Sequence, residues 1–269
     1  MDRVTAVNVA RGGGDGPLLD VRDVTLTFGG VTALRGVSFT VERGELFAVI
    51  GPNGAGKTSI FNCLNGVYHP QEGSIRFEGR DLVGRRPPAI ARLGIARTFQ
   101  NLGLFVNLDV IDNLLLGRHV RMRTGFMAGM AWLGRARGEE IANRRRVEEI
   151  IELLALQPYR YEPVGTLPYG IQKKIELGRA LAMEPRLLLL DEPVAGMNIG
   201  ETEDMARLVL EIRRELDLAM ILVEHDLHMV MELANRMLVL DFGEPIALGT
   251  PSEVQANPRV IDAYLGQAS

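Results

Sequence analysis

Gly51-Pro-Asn-Gly-Ala-Gly-Lys57-Thr58 has the form G-x-x-x-x-G-K-[ST], and no other stretch limits the possible folds as tightly. Glycines at this spacing let successive backbone N–H groups point inward as an anion nest, which a following helix N-terminus reinforces. The flanks fit. Leu46-Phe-Ala-Val-Ile50 is a short apolar run that predicts a buried parallel strand. Lys57 to Asn65 predicts a helix with Ile60, Phe61 and Leu64 on one face and Gly66 as its stop. Strand, glycine loop and helix together make a phosphate-binding loop. Its candidate nucleotide-binding residues are Gly51, Pro52, Asn53, Gly54, Ala55, Gly56, Lys57, Thr58 and the adjoining Ser59. Lys57 would reach the β- and γ-phosphates, and the Thr58 hydroxyl would ligate Mg²⁺.

A second cluster lies downstream. Leu187-Leu-Leu-Leu-Asp191-Glu192 sets two carboxylates at the end of a strongly apolar strand, the end at which ligands of open α/β sheets gather. Asp191 suits a metal held through water, and Glu192 suits polarising an attacking water. Ile221-Leu-Val-Glu-His225-Asp226 is another strand end, from which the His225 imidazole could reach a γ-phosphate oxygen or that water.

The 269 residues, 46% hydrophobic and 24% charged, suit one large domain or a core with one inserted lobe. A net charge of −4 gives no argument for a nucleic-acid partner. Cys63 is the sole cysteine, so an intrachain disulfide is impossible and a reducing compartment is expected. No apolar run nears the ~18 residues of a membrane span, and the N-terminus lacks the apolar core of a signal peptide. Residues 1–17 read as a flexible leader and the remainder as cytoplasmic.

Along the chain, Leu18 to Phe28 alternates apolar and polar with one irregularity at Arg22-Asp23, and a second strand over Ala33 to Val41 returns after Gly29-Gly30. Gly73 to Glu78 adds another strand. This early part predicts an antiparallel sheet. Helical character runs from Asn101 to about Gly170, with Val110–Leu116 and Arg144–Leu156 as candidates. Gly125 to Gly134 is apolar and glycine-punctuated; it fits a membrane- or partner-facing patch or a helical hairpin on its own lobe. Alternation then resumes with a helix over Glu201–Leu216 and a strand over Ala219–Val223. Next come a helix around Leu227–Ala234 and a pair formed by Met237–Leu240 and Pro245–Leu248. Thr250-Pro-Ser-Glu253 is a capping box. The fold class is α/β: a P-loop core with an antiparallel β subdomain (18–100 and 173–250 together), an inserted helical subdomain (about 101–172) and C-terminal helices (251–269).

Leu167-Pro-Tyr-Gly170-Ile-Gln172 opens a helix expected over Ile171 to Met183 and lies shortly before the Asp191-Glu192 strand. With that segment in place the chain resembles the ATP-binding subunits of ABC transporters from Leu18 onward. The resemblance makes Leu167, Pro168, Tyr169, Gly170, Ile171 and Gln172 the signature, a site that works in trans on the ATP of a second cassette. It makes Phe28 the aromatic that stacks on adenine. Gln100, in Arg97-Thr-Phe-Gln100, becomes the glutamine that senses metal and transporter, and Pro193–Asn198 the loop that contacts the other cassette. The implied catalytic set is Glu192, His225 and Gln100, and the implied Mg²⁺ set Thr58, Gln100 and Asp191. Two departures stand out. Pro168 occupies the place of a serine whose hydroxyl contacts the γ-phosphate, and Tyr169 that of a glycine, as it does in importers of hydrophobic amino acids. The expectation is a weakened composite site and a partner that is not an identical copy.

The finer resemblance is to the ATPase of branched-chain amino acid importers. It rests on Arg97-Thr-Phe-Gln-Asn101, the insert from His119 to Ala142, Ala195-Gly-Met-Asn198, and the ending Gly249-Thr-Pro through Asn257-Pro-Arg to Tyr264-Leu-Gly266. It implies a sister cassette, membrane permease subunits and, indirectly, a periplasmic binding protein, at the cytoplasmic face of the plasma membrane. Urea importers and lipopolysaccharide exporters share much of the pattern, although exporter cassettes look shorter between Gln100 and the signature. Non-transport relatives that serve DNA repair or translation carry long coiled coils or a second phosphate loop, and neither is present in this sequence.

Overall fold

The computed structural model describes residues 16–98, 103–120, 135–225 and 227–265. The strand expected before the glycine loop is β3 (Leu46–Ile50), every residue of which is buried. It lies inside a six-stranded sheet with the order β10-β9-β3-β8-β7-β6. The other members are β6 (Ile95–Arg97), β7 (Leu187–Asp191), β8 (Ala219–Val223), β9 (Arg236–Asp241) and β10 (Glu244–Gly249). β3 runs parallel to β8 and β9, and β7 runs parallel to β8 and β6. Only the edge hairpin β9–β10 is antiparallel.

Strands buried on both faces must carry apolar side chains at successive positions. Here alternate residues serve two cores. Leu46, Ala48 and Ile50 face one, while Phe47 and Val49 face the other. The second core is closed by a four-stranded antiparallel sheet in the order β2-β1-β4-β5, built from β1 (Leu19–Phe28), β2 (Val31–Val41), β4 (Glu72–Phe77) and β5 (Arg80–Asp81). Phe39 of that sheet stacks on Phe47 with ring centroids 5.1 Å apart, and truncating such a buried ring to Ala costs about 3–5 kcal/mol. The irregularity at Arg22-Asp23 is a register shift in β1, with Asp23 in the left-handed region at φ 49°.

Between the two sheets lies α1 (Lys57–Leu64), with Ile60, Phe61, Cys63 and Leu64 buried. The helical part contains α3 (Val110–Arg118), α4 (Arg135–Leu153) and α5 (Tyr169–Ala182). Val147, Ile150 and Ile151 of α4 are buried against this group. Asp109 caps α3 by accepting from Asp112 N at 2.8 Å. Later come α6 (Ile199–Leu216), α7 (Leu227–Leu233), α8 (Pro251–Gln255) and α9 (Pro258–Leu265). Thr250 and Glu253 form the expected capping box on α8. Three of the named elements were not foreseen: α2 (Pro87–Leu93), the two-residue strand β5 and the three-residue edge strand β6. All are too short for their periodicity to register. No described helix is long and apolar enough to cross a membrane. The Gly125–Gly134 segment lies outside the described residues, as do Met1 to Asp15 of the leader.

Candidate nucleotide site

Sheet order decides what meets at the site. Because β8 lies between β3 and β7, Val49 pairs with Val223 and Val223 with Asp191. These three residues form a row across adjacent parallel strands, so the loops that leave β3, β7 and β8 open on the same edge. The glycine loop, the Asp191-Glu192 pair and the Glu224-His225 pair are thereby brought together from distant parts of the chain.

In the loop, Gly51 has φ 149°, and a Cβ there would lie 2.2 Å from Leu240 O on β9. Gly56 caps α1 at φ 104°, where a Cβ would lie 2.7 Å from Ala33 O. Neither position has room for a side chain, so backbone fills the cradle. Pro52 and Ala55 are buried beneath it, Asn53, Gly54 and Thr58 are exposed on its crest, and Ser59 is half-buried. Lys57 Nζ donates to Gly51 O at 2.6 Å and to Pro52 O at 2.9 Å. An ammonium has three donors, so these bonds brace the loop and leave one N–H for a phosphate oxygen. Burial pushes the Lys57 pKa down, and the charges of Glu192 and then Asp191 pull it back up. Both carboxylates therefore act on the Lys57 ammonium through space.

Asp191 is buried at 4% exposure. Arg97 Nη2 donates to its Oδ2 at 2.5 Å, and its backbone N–H donates to Thr98 Oγ1 at 3.2 Å. Glu192 follows in the left-handed region at φ 48°, with its N–H donating to Val223 O at 2.9 Å. A non-glycine residue held there stores about 1–2 kcal/mol of backbone strain. Among the described residues no group of three or more His, Cys, Asp or Glu side chains is disposed to hold a metal. One hydroxyl (Thr58) and one carboxylate (Asp191), completed by nucleotide oxygens and water, is a donor set that suits Mg²⁺.

The His225 side chain is 64% exposed at the end of β8, whereas Glu224 beside it is fully buried. Glu224 Oε1 accepts from Val194 N at 3.2 Å and Oε2 from His225 N at 3.1 Å. Phe28 ends β1 at 46% exposure, its ring edge-on to Tyr68 at 4.9 Å between centroids. Gln100 lies outside the described residues.

The signature segment differs from expectation in one respect. α5 begins at Tyr169, not Ile171, with Pro168 as its N-cap at φ −54°. An N-cap residue needs no N–H for the helix, so proline is tolerated there, but it supplies no capping side chain. Leu167 is buried, its carbonyl accepting from Gln172 Nε2 at 2.8 Å, while Ile171 and Gln172 donate backbone N–H groups to Pro168 O, each at 3.0 Å. Tyr169, in glycine's place, donates its hydroxyl to Ala195 O at 3.1 Å, and its ring lies against Gly196. Gly170 faces the Glu201 carboxylate. Asn198 caps α6 in a capping box with Glu201. Signature and Pro193–Asn198 loop are thus stitched together within one chain. Sequence reasoning missed two residues here, Arg97 and Glu224; a charged residue at the end of an apolar strand is the only signal either gives.

Comparison with known proteins matches residues 34–195 to the ABC transporter family and residues 244–269 to the branched-chain amino acid ATP-binding cassette transporter family. The high-affinity branched-chain amino acid transport ATP-binding protein BraF of Pseudomonas aeruginosa is 40% identical over 252 residues, covering 94% of this chain and 99% of that protein. The corresponding LivG protein of Escherichia coli is 38% identical over 252 residues, with the same coverage of 94% and 99%. A crystal structure of the ADP conformation of an ABC transporter cassette superposes with a TM-score of 0.82 at 30% identity, covering 93% of this chain and 99% of that one. A phosphate loop and two carboxylates on one sheet edge, in a chain with these relatives, have one reading: the protein belongs to the nucleotide-binding, ATP-hydrolysing cassettes of the ABC transporter family.

Proposed function

We propose that this cassette energises the import of branched-chain or other hydrophobic amino acids through membrane permease subunits, from a peripheral position on the cytoplasmic face of the plasma membrane. The observation that carries the proposal is the match of residues 244–269, the C-terminal stretch that lies beyond the 34–195 ATPase match, to the branched-chain amino acid cassettes. In this reading the chain divides into an antiparallel β part, a P-loop core, a helical part and C-terminal helices. A second cassette, best a non-identical sister, supplies the signature that faces Gly51–Thr58, and a binding protein delivers cargo to the permeases.

The roles follow from the chemistry of the side chains. Lys57 and the loop amides neutralise the phosphates, and Phe28 offers its ring to the adenine. Thr58 and Asp191, with Gln100, would hold Mg²⁺, which when bound screens the phosphate charge. Glu192 takes a proton from the attacking water and His225 donates to the γ-phosphate oxygens. Deleting the chain should abolish uptake of leucine, isoleucine and valine; wild type should restore it and Glu192→Gln should not. Unchanged uptake of all three in the deletion strain overturns the importer reading. In the purified complex, Glu192→Gln should bind ATP with near-normal affinity and accumulate as a closed pair of cassettes, and normal turnover would remove Glu192 from its role.

A further inference from the structure

Glu224 has no place in the roles above, yet it touches both loops that carry them. Its side chain is fully buried at the end of β8. One carboxylate oxygen accepts the Val194 N–H of the turn that follows Glu192, at 3.2 Å, and the other accepts the His225 N–H at 3.1 Å. Among the described residues its ion-pair contact is the exposed His225 imidazole, with Nδ1 3.7 Å from Oε2. A buried carboxylate facing amides instead of a Lys or Arg is costly to keep ionised. Burial pushes its pKa up, with the Glu192 charge adding to the effect, while the two amides and His225 oppose it.

The turn that Glu224 grips is under strain. Glu192 sits at φ 48°, a conformation that persists only when its surroundings over-determine it. Its N–H is held by Val223 O at 2.9 Å, and its carbonyl accepts from Ala195 N at 3.2 Å. Besides the Tyr169 hydroxyl, which donates to Ala195 O at 3.1 Å, a side-chain bond to this turn comes from Glu224, through Val194. We infer that Glu224 is a positioning residue: its carboxylate clamps the Glu192 turn to the His225 loop and sets the geometry of both for hydrolysis. The inference rests on the reading that Glu192 and His225 act in hydrolysis.

The test uses the full-length cassette in its complex and measures kcat, KM for ATP, affinity for a fluorescent ATP analogue, and melting temperature. Glu224→Gln has nearly the same shape but swaps one acceptor oxygen for a donor, so it cannot hold both amides. Its kcat should fall about tenfold to a hundredfold, with nucleotide affinity unchanged within about threefold and the melting temperature lowered by no more than about 2–4 °C, the size of one lost amide bond. Glu224→Asp keeps the charge but is one methylene short, and its kcat should lie between the two; it carries the test if Glu224→Gln does not fold. Wild-type kcat in the foldable variant overturns the clamp. So does a loss of kcat accompanied by equal losses of affinity and melting temperature, which marks a merely structural residue. Glu192→Gln and His225→Ala run as controls: if either turns over normally, the underlying reading has failed, and if only Glu224→Gln does, the clamp alone has failed.

Discussion

Arg97 donates through Nη2 to Asp191 Oδ2 at 2.5 Å and through Nη1 to Asn62 Oδ1 at 2.7 Å. One guanidinium thereby ties the edge strand β6 to the acidic end of β7 and to the helix that follows the phosphate loop. The Arg97 and Asp191 side chains are 8% and 6% exposed, and Arg97 also lies over the Phe61 ring, 5.4 Å from its centroid. Removing one member of a buried pair leaves an uncompensated charge, which costs about 3–5 kcal/mol. Arg97→Met should therefore lower the unfolding free energy by that amount, read from the shift in urea midpoint at constant m. A loss below about 1 kcal/mol, the size of an exposed pair, would show that the contact is weak.

This pair also shows what a linear reading could reach. The glycine loop, its strand and its helix are local, and their periodicities are legible without a fold. Asp191 and Glu192 are legible as a strand ending in charge. The partnership of Arg97 with Asp191 spans 94 positions, and it exists because β6 adds to the sheet beside β7. Nothing in a three-residue strand announces that. Glu224 is hidden for a different reason: beside a histidine it reads as loop polarity, and only the inward turn of its side chain reveals a buried acceptor. The shift of the α5 start from Ile171 to Tyr169 is of a third kind, since a proline N-cap without a capping side chain gives no boundary signal. Gln100 and Asp226 lie outside the described residues, so the structure does not bear on them.

Lys57 gives a prediction with a definite pH sign. Its pKa in the fold lies below the ordinary 10.5, with burial as the largest cause. The unfolded chain therefore holds that proton more tightly than the folded one, and the burial cost is fully present below the folded pKa. The cost fades as pH rises from the folded pKa toward 10.5. Relative to Lys57→Met, wild type should gain stability as pH rises across that alkaline window. Lys57→Met should also weaken ATP binding by at least about tenfold, because a charge-assisted hydrogen bond contributes about 1.5–3 kcal/mol. Wild-type affinity in that variant would show that the ammonium stays on the loop carbonyls when nucleotide binds.

Cys63 lies inside α1 at 4% exposure, and burial pushes its thiol up to about 12. The thiolate is the reactive form, so native protein at pH 8 should resist a disulfide-exchange reagent such as dithionitrobenzoate. Unfolded protein should release one equivalent, from its single cysteine. Rapid labelling of the native chain would mean that α1 opens easily, and ATP should then slow the labelling.

Tyr169 couples the signature to the Pro193–Asn198 loop through one hydroxyl, which donates to Ala195 O at 3.1 Å. The ring is 40% exposed, so the bond is partly shared with water and its net contribution is about 0.5–1 kcal/mol. Tyr169→Phe should keep the ring against Gly196 and lose only that amount of stability. If the stitch matters for communication between cassettes, turnover of the assembled pair should fall more than the isolated chain's affinity for ATP. Equal effects on both would confine Tyr169 to local packing.

Pro168 tests the proposed trans site. It caps α5 without a side-chain hydrogen bond and lies exposed on the signature. Pro168→Ser adds a hydroxyl with two possible uses. In the free chain it can accept from an amide in the first turn of α5 and stabilise the helix by about 1 kcal/mol. In the proposed pair of cassettes the same hydroxyl would face the γ-phosphate of the other cassette. A hydrogen bond to a charged phosphate is worth about 1.5–3 kcal/mol, so turnover should rise roughly tenfold to a hundredfold if that bond limits closure. The two uses separate by experiment: the melting temperature of the free chain reads the cap, and ATPase of the complex reads the phosphate contact. A raised melting temperature with unchanged turnover would mean that Pro168 shapes the helix start without weakening the composite site. The case for a non-identical partner would then lose its main support.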